Sequence, residues 1–309
     1  MRKIAVLALK GGVGKSSVVA GLGLALSEQN YKVGFLDLDV TGSNLYSALG
    51  LRSSPKYLLD TQNEKIVVPQ VDDYWLLSIA SYAGEDNAVL WEESHNEELT
   101  DTLTQVEQLS SQIENLKNQP EALTSSLEII RRSIDDVLAS SKWRFVSELI
   151  SDEIVTWPQP LDFLIADLPP STSSEMFSFL DQVTDLHGVF IVSQPSKLSV
   201  TGLKRTVDLL RVKQIPIIGL VANQDGFLNK HMELEYQFLS PKVDLKKLAS
   251  KMGVPFLLSI PQTSDLNKIK PYFKMLAERI ITTKPVVLKD VTLVKRLKRK
   301  ILKGVASRL

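Results

Sequence analysis

The sequence predicts an α/β fold, a mostly parallel sheet with helices on both faces. Two observations point there. Short, continuously apolar runs recur, as in strands buried on both sides, and several end in glycine or in acids. Stretches of helical length separate them, the alternation that produces parallel pairing.

Taken in order, residues 4–9 form the first strand, closed by Lys10-Gly11-Gly12. Residues 16–28 read as a helix whose small side chains suit close packing. Residues 33–38 are a second strand ending in acids, and 161–168 a third, ending at Asp167 and Pro169-Pro170. Residues 188–193 and 217–222 are two more, separated by a helical stretch at 201–213, and 254–259 is another. The middle differs. Leu99, Leu103, Val106, Leu109, Ile113 and Leu116 recur at three- and four-residue steps, then Leu123, Leu127, Ile130, Ile134 and Leu138 after Pro120, which suits a first helical turn. Residues 96–142 therefore read as an antiparallel helical hairpin, a short coiled coil inserted in the α/β domain and projecting into solvent. Two ordinary helices packed on the sheet are the alternative. The expected division is 1–95 and 143–282 for the α/β domain, 96–142 for the insertion, and 283–309 for a basic tail.

The chain has 309 residues, 44% of them apolar, enough for a sizeable core. Lys plus Arg and Asp plus Glu are 36 each, which argues against general nucleic-acid affinity over the whole surface. The charges are segregated, however: residues 85–141 hold thirteen acids against three bases, and 284–309 nine bases against one acid. Cysteine is absent, which excludes disulfides, cysteine nucleophiles and any iron–sulfur cluster held by this chain's own thiolates. The apolar run at 4–9 is too short for a signal-peptide core, and no stretch approaches the roughly 20 apolar residues of a spanning helix. A soluble, cytoplasmic protein is expected.

The chemistry concentrates in Lys10-Gly11-Gly12-Val13-Gly14-Lys15-Ser16-Ser17, between a strand and a helix. Glycines let successive N–H groups curl around phosphate oxygens, and the helix N-terminus adds its positive end. Lys15 can reach the outer phosphates and the Ser16 hydroxyl can ligate Mg²⁺. Measured against G-x-x-x-x-G-K-[ST], the first glycine is missing and an extra lysine, Lys10, stands near the start.

This loop resembles the K-G-G-x-G-K-[ST] signature of the ParA/MinD/Mrp class of P-loop ATPases. Residues 35–44, Phe-Leu-Asp-Leu-Asp-Val-Thr-Gly-Ser-Asn, look like that class's second strand and first switch. Residues 162–170 look like its Walker B strand and second switch, with an Asp-Leu-Pro-Pro ending most similar to the Mrp branch, the iron–sulfur carriers. Residues 88–91, Val254-Pro255 and Ile260-Pro261 extend the likeness. The resemblance implies ATP and Mg²⁺ as ligands. It implies a phosphate loop of Gly11, Gly12, Val13, Gly14, Lys15, Ser16 and Ser17, and a metal shell of Ser16, Asp37 and Asp167. Asp39 resembles the aspartate that orients the attacking water, and Lys10 the lysine that crosses to a partner's nucleotide in an ATP-bound homodimer. Asn223 matches the asparagine that reads adenine, with Pro261 counted beside it. For each acid, a solvated strand-end carboxylate is the bland alternative.

One departure stands out. The Mrp branch carries a C-x-x-C pair after that asparagine; here residues 226–235 read Gly-Phe-Leu-Asn-Lys-His-Met-Glu-Leu-Glu. In the tail, Val294, Leu297, Ile301 and Val305 share one helical face, with Lys and Arg mostly elsewhere. Such a helix suits an anionic membrane surface, nucleic-acid phosphates, an acidic protein, or its own domain. The expected function is a slow, Mg²⁺-dependent ATP hydrolase whose ATP-driven dimerisation switches binding to a partner, cargo or surface, with residues 96–142 as the protein-docking arm. The alternatives are an Mrp-type iron–sulfur or cargo carrier without its own cluster ligands, a ParA-like nucleic-acid partitioning ATPase, and a metabolic enzyme of the same superfamily.

Overall fold

The expected strands at 33–38 and 161–168 lie side by side in a computed structural model and end level with one another. The structure describes residues 1–8, 10–39, 42–78, 81, 146–170, 174–229, 231–235 and 243–289. The hairpin expected at 96–142 and the amphipathic helix expected at 290–309 lie outside the described residues, as do residues 88–91. In chain order come β1 (Arg2–Leu7), α1 (Lys15–Ser27), β2 (Val33–Asp37), α2 (Leu45–Ala48), β3 (Leu58–Asp60), β4 (Lys65–Val67), β5 (Gln70–Val71) and β6 (Tyr74–Ser78). After a helical turn at 146–149 follow β7 (Val155–Thr156), β8 (Phe163–Asp167), α3 (Ser174–Gln182), β9 (Leu186–Ser193), α4 (Lys197–Val212) and β10 (Ile217–Leu228). The last are β11 (Leu234–Glu235), α5 (Leu245–Met252), β12 (Phe256–Gln262) and α6 (Leu266–Thr282).

The main sheet runs β11-β10-β9-β1-β8-β2-β6-β5, with β12 also paired to β10. β5 and β11 are antiparallel to their neighbours, and every other pairing is parallel. A second, three-stranded sheet, β3-β4-β7, flanks it. Alternation splits the core into two layers. Ile4 and Val6 of β1 face α1, α2 and α6, whereas Ala5 and Leu7 face α3, α4 and α5. Both faces of β1 are fully buried from Ile4 on, so its sequence is apolar from there to Leu7.

Helix α1 is apolar all round because it is covered on more than one side. Gly23 meets β2 so closely that a Cβ there would fall 2.1 Å from the Phe35 ring. Gly21 does the same against Phe273 of α6, at 2.4 Å. The later helices start on side-chain caps: Ser196 accepts from the Ser199 N–H, Asp244 from Lys247 and Asp265 from Asn267. After α6 the chain passes under the sheet, where Val286 pairs with Ile217 and Leu288 is buried among residues of the α4–α5 layer.

Candidate functional site: a phosphate loop over a row of buried polar residues

Three adjacent parallel strands each close an apolar run with one polar residue. Register places Asp167 of β8 beside Asp37 of β2, and Asp37 beside Ser78 of β6. Phe163, Ile165, Val33, Phe35, Tyr74 and Leu76 belong to the α1-side layer, so two-residue alternation turns all three polar side chains toward α1. The row lies at the carboxyl ends of the strands, where open α/β sheets bind ligands.

The loop after β1 arches over this row. Gly12 and Gly14 have φ of 75° and 79°, left-handed conformations that cost glycine little. The Gly14 carbonyl accepts the Val18 N–H at 3.0 Å, which starts α1. A Cβ added at Gly11 or Gly12 would meet nothing within 4 Å, so both glycines face open space. Lys15, the first residue of α1 and only 7% exposed, pairs with Asp167 Oδ1.

The two carboxylates are bound differently, though both are fully buried. Asp37 Oδ1 accepts the Asp39 N–H at 3.2 Å. Its Oδ2 accepts the Ser43 hydroxyl at 2.5 Å and the Ser78 hydroxyl at 3.1 Å, and those hydroxyls are 2.8 Å apart. Asp167 Oδ2, by contrast, is buried with no hydrogen-bond partner. Burial, and then the charge of Asp167, push the Asp37 carboxyl up to about 7 against the opposing pull of Ser43, the Asp39 N–H and Lys15. Burial also raises Asp167, opposed chiefly by Lys15 and then by the Ser16 hydroxyl. Two buried acids beside one cation leave a deficit of positive charge, and the orphaned Oδ2 points to where it is made up. A divalent cation brought in with nucleotide phosphates would fit this set, and Ser16, Asp167 and Asp37 are the residues that would hold it. Mg²⁺ takes few protein ligands in such sites.

Asn223 flanks the loop on the other side. Its Nδ2 donates to the Val13 carbonyl at 2.8 Å, leaving the side-chain oxygen as an acceptor for a ligand. An acceptor there suits the exocyclic amine of adenine and opposes the carbonyl of guanine. Asn223, Gln224, Pro261, Gly14 and Ser17 line one end of a cleft of about 630 Å³ that continues along α1 beside Phe273. Gln194, just after β9, bonds both the Gly12 carbonyl, at 3.4 Å, and the Gln224 side chain.

The site residues expected from sequence thus group unevenly. Lys15, Ser16, Asp37 and Asp167 come together, and Val13, Gly14 and Asn223 are in mutual contact. Asp39 is buried beside the row, and Ser17 and Lys10 are exposed at the loop's outer side. Sequence reasoning missed Ser78, Gln194 and Gln224, and quoted Ser43 without a role. One signal was available for Ser78: like Asp37 and Asp167, it is a polar residue ending an apolar run.

Strand β10 runs past Asn223 through a bulge, with Gln224 at φ 54° and Gly226 at φ 87°, and returns as β11. In the turn the Asn229 side-chain oxygen accepts the N–H groups of His231, at 2.9 Å, and Glu233, at 3.0 Å. Its Nδ2 donates to Glu235 Oε1 at 2.8 Å. Where the resemblance leads one to look for two thiolates, a carboxamide holds a tight turn.

Comparison with known proteins decides the family. The model of ParA, described as the NUBPL iron-transfer P-loop NTPase family, matches residues 1–112 and 135–291. This chain belongs to that family. An iron-sulfur cluster carrier protein of Aquifex aeolicus (strain VF5) is 27% identical over 259 residues, 84% of this chain, which spans only 57% of that relative's length. The cytosolic Fe-S cluster assembly factor NUBP2 of Mus musculus is 27% identical over 269 residues, covering 86% of this chain and 79% of that protein. Among solved structures, an ADP-bound nucleotide-binding protein from Archaeoglobus fulgidus superposes with a TM-score of 0.57 at 22% identity, covering 94% of each chain. The cell division ATPase MinD of Pyrococcus furiosus gives 0.54 at 20% identity, covering 91% of this chain and 98% of that one. Both likenesses establish the P-loop NTPase fold.

Proposed function

We propose that this family member is a Mg²⁺-dependent ATP switch, hydrolysing ATP slowly and dimerising when ATP is bound. The observation that carries the reading is the pair of buried carboxylates with one lysine beneath an open glycine loop. A triphosphate with its metal would supply both the anion that the loop N–H groups and Lys15 call for and a cation for the second oxygen of Asp167, which Lys15 does not meet. Asp39 would orient the attacking water. Lys10, exposed at the loop's edge, would reach a nucleotide held by a second copy. Calorimetric titration with ATP and GTP, with and without Mg²⁺, tests this together with sedimentation in a non-hydrolysable ATP analogue. Metal-dependent ATP binding, weaker GTP binding and a dimer in the analogue are expected. Absence of ATP binding overturns the reading.

The switch would control attachment to a partner through residues 96–142, and to an anionic membrane surface or nucleic acid through residues 290–309. Liposome sedimentation in ATP, in ADP and after deleting 290–309 separates these: a deletion that sediments like the full chain removes the membrane role, and a DNA mobility shift in its place favours nucleic acid. A carrier role for iron–sulfur cargo is the second reading, supported by the names of the relatives. Here the chain would contribute the ATP-driven movement while cluster thiolates come from elsewhere, because it has no cysteine. Anaerobic reconstitution of the isolated protein is expected to yield no stoichiometric iron and sulfide.

A further inference from the structure

We propose that Ser78 and Ser43 are positioning residues for the metal end of this site, setting how Asp37 is turned and tethering the loop that carries Asp39. The inference rests on the nucleotide reading above and adds to it two residues and a task.

Ser78 is fully buried at the end of β6. Its hydroxyl reaches sideways to the carboxylate of the neighbouring strand, at 3.1 Å from Asp37 Oδ2. Ser43 reaches the same oxygen, at 2.5 Å, from the segment that follows β2. With the Asp39 N–H on Oδ1, the carboxylate is held from both sides and cannot rotate without breaking several bonds at once. That orientation keeps Asp37 out of Lys15's ion pair, so Lys15 stays with Asp167 and one oxygen of Asp167 is left open. Each hydroxyl has a single proton, so the 2.8 Å between the two oxygens reflects the acceptor they share. Through that acceptor residues 42–44, next to Asp39, are tied to β6, two strands away from β8. A serine that only filled space at a strand end would have no reason to share an acceptor with a serine from another segment.

Without the hydroxyls, Asp37 is free to swing toward Lys15 and compete with Asp167. The metal contribution should suffer while phosphate binding by the loop survives. Losing one of several hydrogen bonds to the same carboxylate, at the net worth of an ordinary hydrogen bond, corresponds to about a 5- to 10-fold change.

The test uses a fluorescent methylanthraniloyl-ATP, titrated into the full chain in EDTA and then at increasing Mg²⁺. Wild-type protein sets the reference: if Mg²⁺ does not tighten binding there, the nucleotide reading itself fails. Given that tightening, Ser43→Ala and Ser78→Ala should each need about 5- to 10-fold more Mg²⁺ for the half-maximal effect, with EDTA affinity within about twofold of wild type. Ser43→Thr, which keeps the hydroxyl at a half-buried position, should restore the wild-type Mg²⁺ midpoint. An unchanged midpoint in both alanine variants overturns the proposal. So does an equal loss of affinity with and without Mg²⁺, which would mark general architecture. If Ser78→Ala does not fold, the Ser43→Ala and Ser43→Thr pair decides alone.

Discussion

The loop that follows β1 and the bulged hairpin of β10 and β11 meet at Asn223 and are built in opposite ways. The first covers buried charge: Lys15, Asp37 and Asp167 sit in one register row with little water to screen them. The second is a hairpin held mainly by amides, those of Gln194, Asn223, Gln224 and Asn229, with left-handed residues at its bulge. A buried charge cannot be replaced alone, because its partner is then stranded at a cost of several kcal/mol. An exposed turn loses about 1 kcal/mol per hydrogen bond and tolerates other chemistry. The same fold can therefore keep a phosphate site intact while the segment beyond Asn223 has a turn in place of a thiolate pair.

The largest expected effect breaks the charged side. Lys15→Ala should reduce ATP affinity at least about 1,000-fold, since it removes both the phosphate contact and the only basic side chain paired with Asp167 among the described residues. Calorimetry on a variant checked for folding by circular dichroism measures it. Affinity within tenfold of wild type would mean that the loop does not hold phosphates. Next, Asp39→Ala should bind ATP within a few-fold of wild type yet lower turnover by roughly 100-fold or more and accumulate as an ATP dimer in sedimentation. A monomer with ATP bound would remove Asp39 from that role.

A pH effect sharpens the comparison further. The Asp37 carboxyl is raised from 3.8 to about 7, so the folded chain binds its proton more tightly than the unfolded chain does. Its contribution to stability is whole below pH 4, declines as pH rises toward 7, and is constant above that. Asp37→Asn removes the decline. In EDTA and without nucleotide, the variant should gain about 2–3 kcal/mol relative to wild type between pH 5 and pH 8, read from urea midpoints. A constant difference across that range would mean that Asp37 stays ionised throughout. Among the described residues the hairpin side holds no fully buried acid, Asp225 being half-buried, and variants at Asn229 should show no such slope.

How much of this was legible from sequence follows from the same contrast. Strands β2 and β8 could be read because an acid closing an apolar run is a conspicuous break, and Lys15 because glycines and a helix start surround it. Gln194 was not, since a lone amide has no spacing signature and acquires its partner only from strand order, and Ser78, although it ends an apolar run as the two acids do, was lost together with its strand. β6 itself was passed over because it follows strands of two and three residues in which turn chemistry dominates. The apolar run that marks β10 ends at residue 222; pairing to β12 and β11 carries the strand across a bulge to Leu228. Helix α6, with Pro271 inside it, shows no uninterrupted helical signal and gains its support by packing on α1.

The smallest expected effect falls on the hairpin. Asn229 accepts two backbone N–H groups and donates to Glu235, and all of these groups are near solvent. Water can replace much of what a substitution removes, so Asn229→Ala should lower global stability by about 1 kcal/mol or less. Locally the effect is larger in kind, because those two N–H groups shape the turn and no other residue next to it supplies the same acceptor. Amide exchange at His231 and Glu233 should therefore accelerate by roughly tenfold, while exchange in β1, β2 and β8 stays as in wild type. ATP affinity should stay within about twofold, since Asn223 and Gln224 keep their own bonds to Val13 and Gln194 on the loop side of the bulge. Loss of ATP affinity in step with the faster exchange would show the two sides of the cleft to be mechanically joined, and the contrast between them would then be one of chemistry only.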